Sequence, residues 1–186
     1  MPDIKVLVLI GSLRKASINR QLAELAAETA PDGVRLEVFD RLGELPFYNE
    51  DIDNDDVAEP VLALRQAAAE ADAALVVTPE YNGSIPGVLK NAIDWLTRPA
   101  SDIASLFGGK PVAVLGASPG GFGTILAQEA WLPVLRTLGT RPWFEGRLML
   151  SRAQSVFDAN GNLTDEATRQ RLAQFIAGFA VFAVGR

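Results

Sequence analysis

The chain contains no cysteine and no histidine. Without cysteine, the sequence excludes disulfides, thiolate nucleophiles and cysteine-ligated zinc. Without histidine, it lacks the commonest general base and metal ligand, and every Ser-His-Asp triad is excluded. An enzyme of this composition that works near neutral pH must rely on carboxylates, lysine or tyrosine, or on a bound cofactor.

Positive charge and long apolar runs are also scarce. The formal net charge is −6, which argues against a nucleic-acid partner because phosphate backbones attract clustered Lys and Arg. No apolar run approaches the ~18 residues that span a membrane, and no signal peptide is visible at the N-terminus. We therefore expect a cytoplasmic protein that does not contact a membrane. The length of 186 residues, with no repeat or linker, predicts one domain over residues 1–186.

Apolar segments that predict strands alternate with segments whose apolar residues repeat at helical spacing. The predicted strands cover residues 6–10, 34–39, 73–78 and 112–117, with a short fifth strand within 141–150. The predicted helices cover residues 17–30, a stretch starting near 60, residues 86–97, a stretch ending near 138, and a last helix capped by Thr164. Residues 40–57 read as an acidic loop.

This alternation predicts an α/β fold. Right-handed crossovers between such strands give a parallel sheet with helices on both faces. Five strands fit a flavodoxin-like three-layer sandwich, with a five-stranded parallel sheet in the order 2-1-3-4-5. Proteins with this order bind FMN where the strand order reverses, between strands one and three.

The loop after strand one, residues 11–20, has the composition of an anion site. A loop between a strand and a helix offers free backbone N–H groups and the positive end of the helix dipole. Ser12, Ser17 and Asn19 add side-chain donors and Arg14 adds charge, which suits a monophosphate ester. A dinucleotide loop needs three spaced glycines and a P-loop needs Gly-Lys-Ser/Thr, and neither is present. The alternative is an ordinary turn with Ser17 as the helix N-cap.

The loops after strands three and four are the other candidates. Residues 79–87 (PEYNGSIPG) combine prolines, glycines, an aromatic ring and an amide, which suits a rigid surface against a flat ligand. Residues 118–123 (SPGGFG) are rich in glycine, which leaves room for a ring system against backbone amides. Each loop alone could be an ordinary connection between a strand and a helix.

Two acidic patterns are not interpreted as calcium loops. Asp51, Asp53 and Asp55 have the spacing of an EF-hand, but its glycine and its final glutamate are missing. The second pattern, which begins at Asp158, fails in the same way, and Asn160-Gly161 within it predicts a tight turn.

Residues 11–19 (GSLRKASIN), 79–82 (PEYN) and 89–96 (LKNAIDWL) closely resemble the NADPH-dependent FMN reductases. This flavodoxin-like family includes chromate and quinone reductases. The resemblance implies bound FMN, NADPH or NADH as electron donor, and a small-molecule acceptor such as a quinone, an azo compound, a metal oxyanion or free flavin.

The resemblance also implies a set of cofactor-binding residues. By family position, Ser12, Arg14, Ser17 and Asn19 hold the phosphate. Residues lining the isoalloxazine are Pro79, Glu80, Tyr81 and Asn82, and those closing its other side are Ser118, Gly120 and Gly121. The set is completed by Ile18, Gly83 and Ser84. No family motif extends over residues 122–160.

No catalytic acid or base and no metal ligand is assigned, because a bound flavin exchanges hydride without protein acid–base groups. Glu80 is interpreted as an anchor for the loop or for an interface, and Tyr81 as part of the pocket wall. The helix at residues 88–96 has a broad apolar surface, which favours a contact with a second subunit in a homodimer or homotetramer.

Two other functions fit the same fold. One is a flavodoxin-like electron carrier that holds FMN but oxidises NADPH poorly. The other is a non-catalytic FMN-binding or regulatory module. The sequence argues against a receiver domain, because strand one ends in Ile10-Gly11 and offers no acidic pair for metal and phosphoryl chemistry.

Overall fold

Six parallel strands form one sheet in the computed structural model, which describes residues 3–54, 56–158 and 161–185. The strands are β1 (Ile4–Ile10), β2 (Val34–Phe39), β3 (Ala73–Val77), β4 (Pro111–Ala117), β5 (Arg141–Pro142) and β6 (Leu148–Leu150). Their order is β2-β1-β3-β4-β5, with β6 also paired to β4. The predicted strand order is therefore confirmed, and β1 and β3 flank the switch point.

Helices cover both faces of the sheet. They are α1 (Ile18–Glu28), α2 (Glu59–Glu70), α3 (Gly87–Leu96), α4 (Ile103–Phe107), α5 (Ile125–Thr137) and α6 (Glu166–Val184). Val6 and Val8 face the core with α1 and α6, whereas Leu7 and Leu9 face the core with the other four helices. Strands buried on both faces are apolar throughout, which explains the unbroken apolar run of β1. Within the described residues, no helix has the length and apolar character needed to cross a bilayer.

The predicted fifth strand is divided into β5 and β6. The backbone N–H of Trp143 donates to the Val112 carbonyl, and Leu148 then pairs with Leu115. Pro142 has no N–H and cannot extend the ladder, so the chain leaves the sheet edge between these two contacts. The residues between β5 and β6 are therefore free to form a surface beside α5.

The N-terminus of α6 differs from the prediction by one residue. Asp165, not Thr164, is the N-cap, and its carboxylate accepts hydrogen bonds from the Thr168 backbone N–H at 2.8 Å and hydroxyl at 2.5 Å. These two donors lower the pKa of Asp165 below its ordinary value. The hydroxyl of Thr164 instead donates to the Val156 carbonyl at 3.1 Å.

The segment predicted as an acidic loop is more ordered than expected. It contains short 3-10 turns at Leu42–Glu44 and Glu50–Ile52, and two of its own side chains, those of Leu42 and Leu45, are buried in the core. α4 was also not predicted. Asp55 of the acidic pattern and Asn160 of the predicted tight turn lie outside the described residues, while Gly161 has a φ of 87°.

Close packing of β4 against β3 requires Gly116. A Cβ at this position would lie 2.0 Å from the Thr78 carbonyl oxygen, whereas a Cβ on Gly87 would meet no atom within 4 Å. We expect Gly116→Ala to lower the free energy of unfolding by about 1–3 kcal/mol, the usual cost of overpacking. The matched variant Gly87→Ala should leave it unchanged or raise it by up to about 1 kcal/mol. Urea denaturation measures both, and equal values would contradict the assignment.

Candidate cofactor site

The loop between β1 and α1 presents a row of free hydrogen-bond donors. Among the described residues, no acceptor is bound to the backbone N–H groups of residues 12–17. Ser12 is only 5% exposed, and its hydroxyl has no partner within the described residues. These donors directly precede the N-terminus of α1, where the helix dipole favours an anion. The loop therefore fits a phosphate group.

Ser17 is the N-cap of α1. Its hydroxyl oxygen accepts from the Arg20 backbone N–H at 3.3 Å, so the capping alternative is confirmed. The hydroxyl hydrogen stays free to donate to a ligand, so capping does not exclude a phosphate contact. Arg14 lies in the same loop, and its guanidinium donates to the Ala16 carbonyl at 3.4 Å.

Asn19 is held by the protein itself. Its side-chain amide donates to the Ala117 carbonyl at 2.9 Å and accepts from the Ala117 backbone N–H at 2.9 Å, and both bonds are buried. This double contact joins the first turn of α1 to the end of β4. The structure thus places Asn19 as a support for the loop, while the neighbouring Ile18 packs against the core beneath it.

The loop after β3 contains a two-residue hairpin. The Tyr81 N–H donates to the Ser84 carbonyl at 3.3 Å, and the Ser84 N–H donates to the Tyr81 carbonyl at 3.1 Å. Asn82 and Gly83 have φ values of 52° and 68°, the positive values that a tight hairpin turn requires. The Asn-Gly pair predicts such a turn and was a signal that the sequence analysis did not use. Pro79 precedes the hairpin, and Tyr81 is half exposed at its base.

Glu80 anchors this loop to α5. One carboxylate oxygen accepts from the backbone N–H groups of Leu126 at 2.9 Å and Ala127 at 3.1 Å. The carboxylate therefore satisfies donors in the first turn of α5 and compensates its dipole. This geometry confirms the interpretation of Glu80 as an anchor.

The glycine-rich loop after β4 is closed on one side and open on the other. The Ser118 hydroxyl donates to the Gly123 carbonyl at 2.6 Å, and the Arg152 N–H donates to the Gly120 carbonyl at 2.9 Å. A Cβ added to Gly121 would meet no atom within 4 Å. The loop is therefore fixed by its own hydrogen bonds and leaves space above Gly120 and Gly121 for a flat ring.

Two further residues lie at this edge, Arg152 and Phe122, and the sequence patterns did not predict a place for either in the site. Arg152 has a left-handed backbone (φ 47°, ψ 42°), an uncommon conformation for a residue other than glycine. Its backbone is held by Gly120, which leaves the guanidinium at the edge of the site with no partner among the described residues. Phe122 is 84% exposed between the glycines. No local pattern marks Arg152, because its position depends on the return of the chain after β6.

Most of the apolar surface of α3 is buried against other parts of the same chain. Leu89, Ala92, Trp95 and Leu96 are almost fully buried in the core. The breadth of this surface therefore does not support a subunit contact, contrary to the expectation. Phe47 is a better marker of an uncovered surface, since it is 87% exposed.

Phe47 is exposed on a backbone that is firmly held. The Asn91 amide donates to the Pro46 carbonyl at 2.9 Å and accepts from the Tyr48 N–H at 2.8 Å. The Trp95 indole N–H donates to the same Pro46 carbonyl at 2.7 Å. Hydrogen bonds therefore fix the backbone of Pro46 and Tyr48, the residues on either side of Phe47, while the ring of Phe47 is exposed to solvent.

Taken together, the fold and the site define a class. The donor loop after β1, the hairpin after β3 and the glycine-rich loop after β4 all lie at the carboxyl edge of one parallel sheet, where such proteins bind ligands. Donors for one phosphate beside an open, flat surface fit a flavin mononucleotide. The chain is a flavodoxin-like α/β protein, and FMN is the cofactor that this candidate site fits.

Comparisons with known proteins identify the family. A sequence model described as NADPH-dependent FMN reductase matches residues 4–155. The chain is 41% identical over 183 residues to a 2-hydroxy-1,4-benzoquinone reductase from Burkholderia sp., covering 98% of each chain. It is 44% identical over 172 residues to an NAD(P)H-dependent FMN reductase of Pseudomonas aeruginosa, covering 92% of this chain and 91% of that protein.

A solved structure agrees with these sequences. The flavoenzyme NAD(P)H:(acceptor) oxidoreductase FerB from Paracoccus denitrificans matches with a TM-score of 0.87 and 37% identity, over 97% of both chains. This chain belongs to the NADPH-dependent FMN reductase family. It is an oxidoreductase whose cofactors are FMN and NAD(P)H, as the sequence predicts.

Removing the Asn19 amide should destabilise the fold even without a ligand. Asn19→Ala leaves the buried N–H and carbonyl of Ala117 without partners, and each such group costs about 1–3 kcal/mol. We expect the free energy of unfolding of the apo-protein, measured in urea, to fall by at least about 2 kcal/mol. Ser12→Ala is the matched control, since the Ser12 hydroxyl has no partner within the described residues. Equal stability of both variants would contradict this role of Asn19.

Proposed function

We propose that this chain is an FMN-dependent NAD(P)H:quinone oxidoreductase, formed by one FMN-binding domain over residues 1–186. The observation that carries the proposal is the row of N–H groups at residues 12–17, which have no acceptor among the described residues, beside Ser12, which is only 5% exposed. Quinones are the proposed acceptor because relatives from Burkholderia sp. and Pseudomonas putida are named as quinone reductases.

The phosphate of FMN would be held by three side chains and the free N–H groups of the loop. Ser12 and Ser17 donate through their hydroxyls, and Arg14 contributes the charge of its guanidinium. Asn19 acts through its contact with Ala117, which fixes the loop, and Ile18 packs beneath it. A phosphate ester carries about two negative charges and strong acceptor oxygens, so this donor set matches it.

The isoalloxazine ring would lie between two loops. One wall is formed by Pro79, Tyr81, Asn82, Gly83 and Ser84, with Glu80 as the anchor of that wall. The other side is formed by Ser118, Gly120 and Gly121, where the backbone surface is open. The hairpin hydrogen bonds and the Ser118–Gly123 bond hold both surfaces in place before a ligand binds.

FMN supplies reversible two-electron transfer between a nicotinamide and an acceptor. The protein then needs only to bind FMN, to position each substrate ring in turn and to exclude competing reactions. This division of work suits a chain without histidine, and protons for a quinone can come from water. No residue is therefore assigned as a catalytic acid or base.

Several finer points are part of the proposal. NADPH or NADH is the donor, and azo compounds, metal oxyanions such as chromate, and free flavin stay predictions as further acceptors. A homodimer or homotetramer is proposed because the exposed Phe47 ring is held in position on the surface. A cytoplasmic location and the absence of nucleic-acid partners also stay predictions.

Variants of the donor loop test the FMN site. Arg14→Ala and Ser12→Ala should each weaken FMN binding by about tenfold or more, because each removes a hydrogen-bond donor to a charged phosphate. Arg136→Ala, an exposed arginine at the far end of α5, is the control for loss of one positive charge. Isothermal titration of apo-protein with FMN gives the affinities. Unchanged affinity in both loop variants would show that the phosphate binds elsewhere.

The activity has a direct test. The purified protein should show a flavin absorption spectrum that bleaches when NADPH is added without oxygen. Steady-state NADPH oxidation should then depend on an added quinone. A protein that holds FMN but oxidises NADPH slowly would be an electron carrier, and a protein that takes up no FMN would contradict every flavin-based proposal.

A further inference from the structure

Arg152 differs from the other residues at the edge of the candidate site in its backbone conformation. Within the described residues, Arg152 and Asn82 are the non-glycine residues with a positive φ. Asn82 lies in a hairpin turn that requires this conformation, and asparagine adopts it readily, whereas an arginine gains nothing from it. Strained residues of this kind are concentrated at functional sites. The backbone at this position therefore does not explain why an arginine occupies it.

Hydrogen bonds on both sides fix the backbone of Arg152 against the glycine-rich loop. Its N–H donates to the Gly120 carbonyl at 2.9 Å. The next N–H, that of Ala153, donates to the Ser118 carbonyl at 3.0 Å. The Arg152 carbonyl accepts from Ser155, from the backbone N–H at 2.9 Å and from the hydroxyl at 2.8 Å. The side chain of Arg152 therefore starts from a fixed point beside the surface proposed for the isoalloxazine ring.

Exposure alone would not distinguish Arg152, since an exposed arginine needs no partner. Arg136, on the outer side of α5, is an exposed arginine of this ordinary kind. In the part of the chain that the structure describes, the Arg152 guanidinium forms no hydrogen bond and no ion pair. What separates the two residues is that Arg152 combines a free guanidinium with a strained, fixed backbone at the edge of the site.

The position of Arg152 in the sheet places it at the ring end of the site. The residue follows β6, and β3 and β4 lie between β6 and β1. Three strand spacings, about 14 Å, therefore separate β6 from the strand that leads into the donor loop. Arg152 is remote from the proposed phosphate position and close to the loop proposed for the ring.

Phe122 adds an aromatic side chain to the same loop. It is 84% exposed, so packing within the chain does not account for its ring. The hydrogen bond from the Ser118 hydroxyl to the Gly123 carbonyl closes the loop that carries it. An exposed aromatic face on a closed loop can stack on a flat ligand.

These features together favour a planar ligand that carries a negative charge. A flat ring can lie over the open backbone at Gly121 and stack on Phe122. An uncharged quinone would make these contacts and would leave the Arg152 guanidinium in water. A quinone with an ionised hydroxyl group presents two neighbouring oxygens in the plane of its ring. These oxygens match the paired N–H groups of a guanidinium fork.

We propose that Arg152 selects electron acceptors that carry a negative charge on or beside their ring, such as quinones with an ionised hydroxyl or carboxylate group. Phe122 stacks on the ring of the same acceptor. The proposal rests on the proposed function, in which an acceptor ring reaches the flavin. Arg152 is then a specificity-determining residue, which donates hydrogen bonds to the oxyanion and transfers no proton.

The binding test uses two ligands of the same shape, the anion 2-naphthoate and the uncharged 2-naphthamide. Isothermal titration measures both on the purified protein with its FMN. Arg152→Gln removes the charge and keeps a polar side chain, so it should weaken naphthoate binding about tenfold and leave naphthamide binding unchanged. Arg152→Lys should keep part of the naphthoate affinity, and Arg136→Ala should change neither ligand.

Two further variants separate binding from folding. Glycine adopts a positive φ without strain, so Arg152→Gly should keep or raise the urea midpoint and still lose naphthoate affinity as Arg152→Gln does. Phe122→Ala should weaken both ligands, because stacking does not depend on the charge of the ligand.

Several outcomes would overturn the proposal. One is an equal loss of naphthoate and naphthamide in Arg152→Gln, and another is no loss of either. A lower FMN affinity with unchanged naphthoate binding would place the guanidinium on the cofactor. A changed sedimentation coefficient with unchanged naphthoate binding would place it on a second copy of the chain.

Kinetics distinguish this proposal from the proposed function. In Arg152→Gln, the KM for 2-hydroxy-1,4-naphthoquinone, which is ionised at neutral pH, should rise about tenfold, whereas the KM for 1,4-naphthoquinone should not change. Naphthoate binding that depends on Arg152, in a protein that does not oxidise NADPH, would support the role of Arg152 in binding and contradict the proposed function. Rapid quinone-dependent oxidation of NADPH with naphthoate binding indifferent to Arg152 would contradict the role of Arg152 alone.

Discussion

The candidate site depends on the contact between the Asn19 amide and the backbone of Ala117. β1 and β4 are not neighbours in the sheet, since β3 lies between them, and this amide spans the gap with two buried hydrogen bonds. Buried backbone groups are costly to leave unpaired, so the contact fixes the start of α1 relative to the end of β4. The donor loop and the glycine-rich loop are thereby held in one arrangement.

The other contacts at this edge follow the same principle. Glu80 ties the hairpin loop to α5, Ser118 closes the glycine-rich loop, and the N–H of Arg152 attaches the chain after β6 to Gly120. Each polar group used in this way is satisfied by the protein. Within the described residues, the groups at this edge that have no partner include the N–H groups of residues 12–17, the Ser12 hydroxyl and the Arg152 guanidinium. The side chains that support the site are already hydrogen-bonded within the protein, whereas the donors of the loop have no acceptor among the described residues. Such a site needs little rearrangement to bind an anion.

Local patterns predicted most of the fold, and long-range contacts account for the differences. β2 was predicted with its observed bounds, because its apolar segment lies between clear turn signals. The division of the last strand into β5 and β6 depends on which part of β4 each piece can reach, and no local pattern carries that information. The apolar surface of α3 was attributed to a second subunit because the segment that covers Trp95, around Pro46 and Tyr48, is distant in sequence.

The sequence by itself determined the kind of chemistry and the class of fold. Without histidine and cysteine, the reaction is left to carboxylates, lysine, tyrosine or a bound cofactor, and alternating strands and helices give a parallel sheet with its ligand loops at one edge. Only the tertiary structure decided which side chains are supports and which are free. Asn19 and Ala117 are 98 residues apart in the chain, and Arg152, whose guanidinium has no partner among the described residues, lies beside Gly120 because β6 returns to β4. Whether a polar group is free depends on the partners that folding brings to it, and residue type and spacing do not encode those partners.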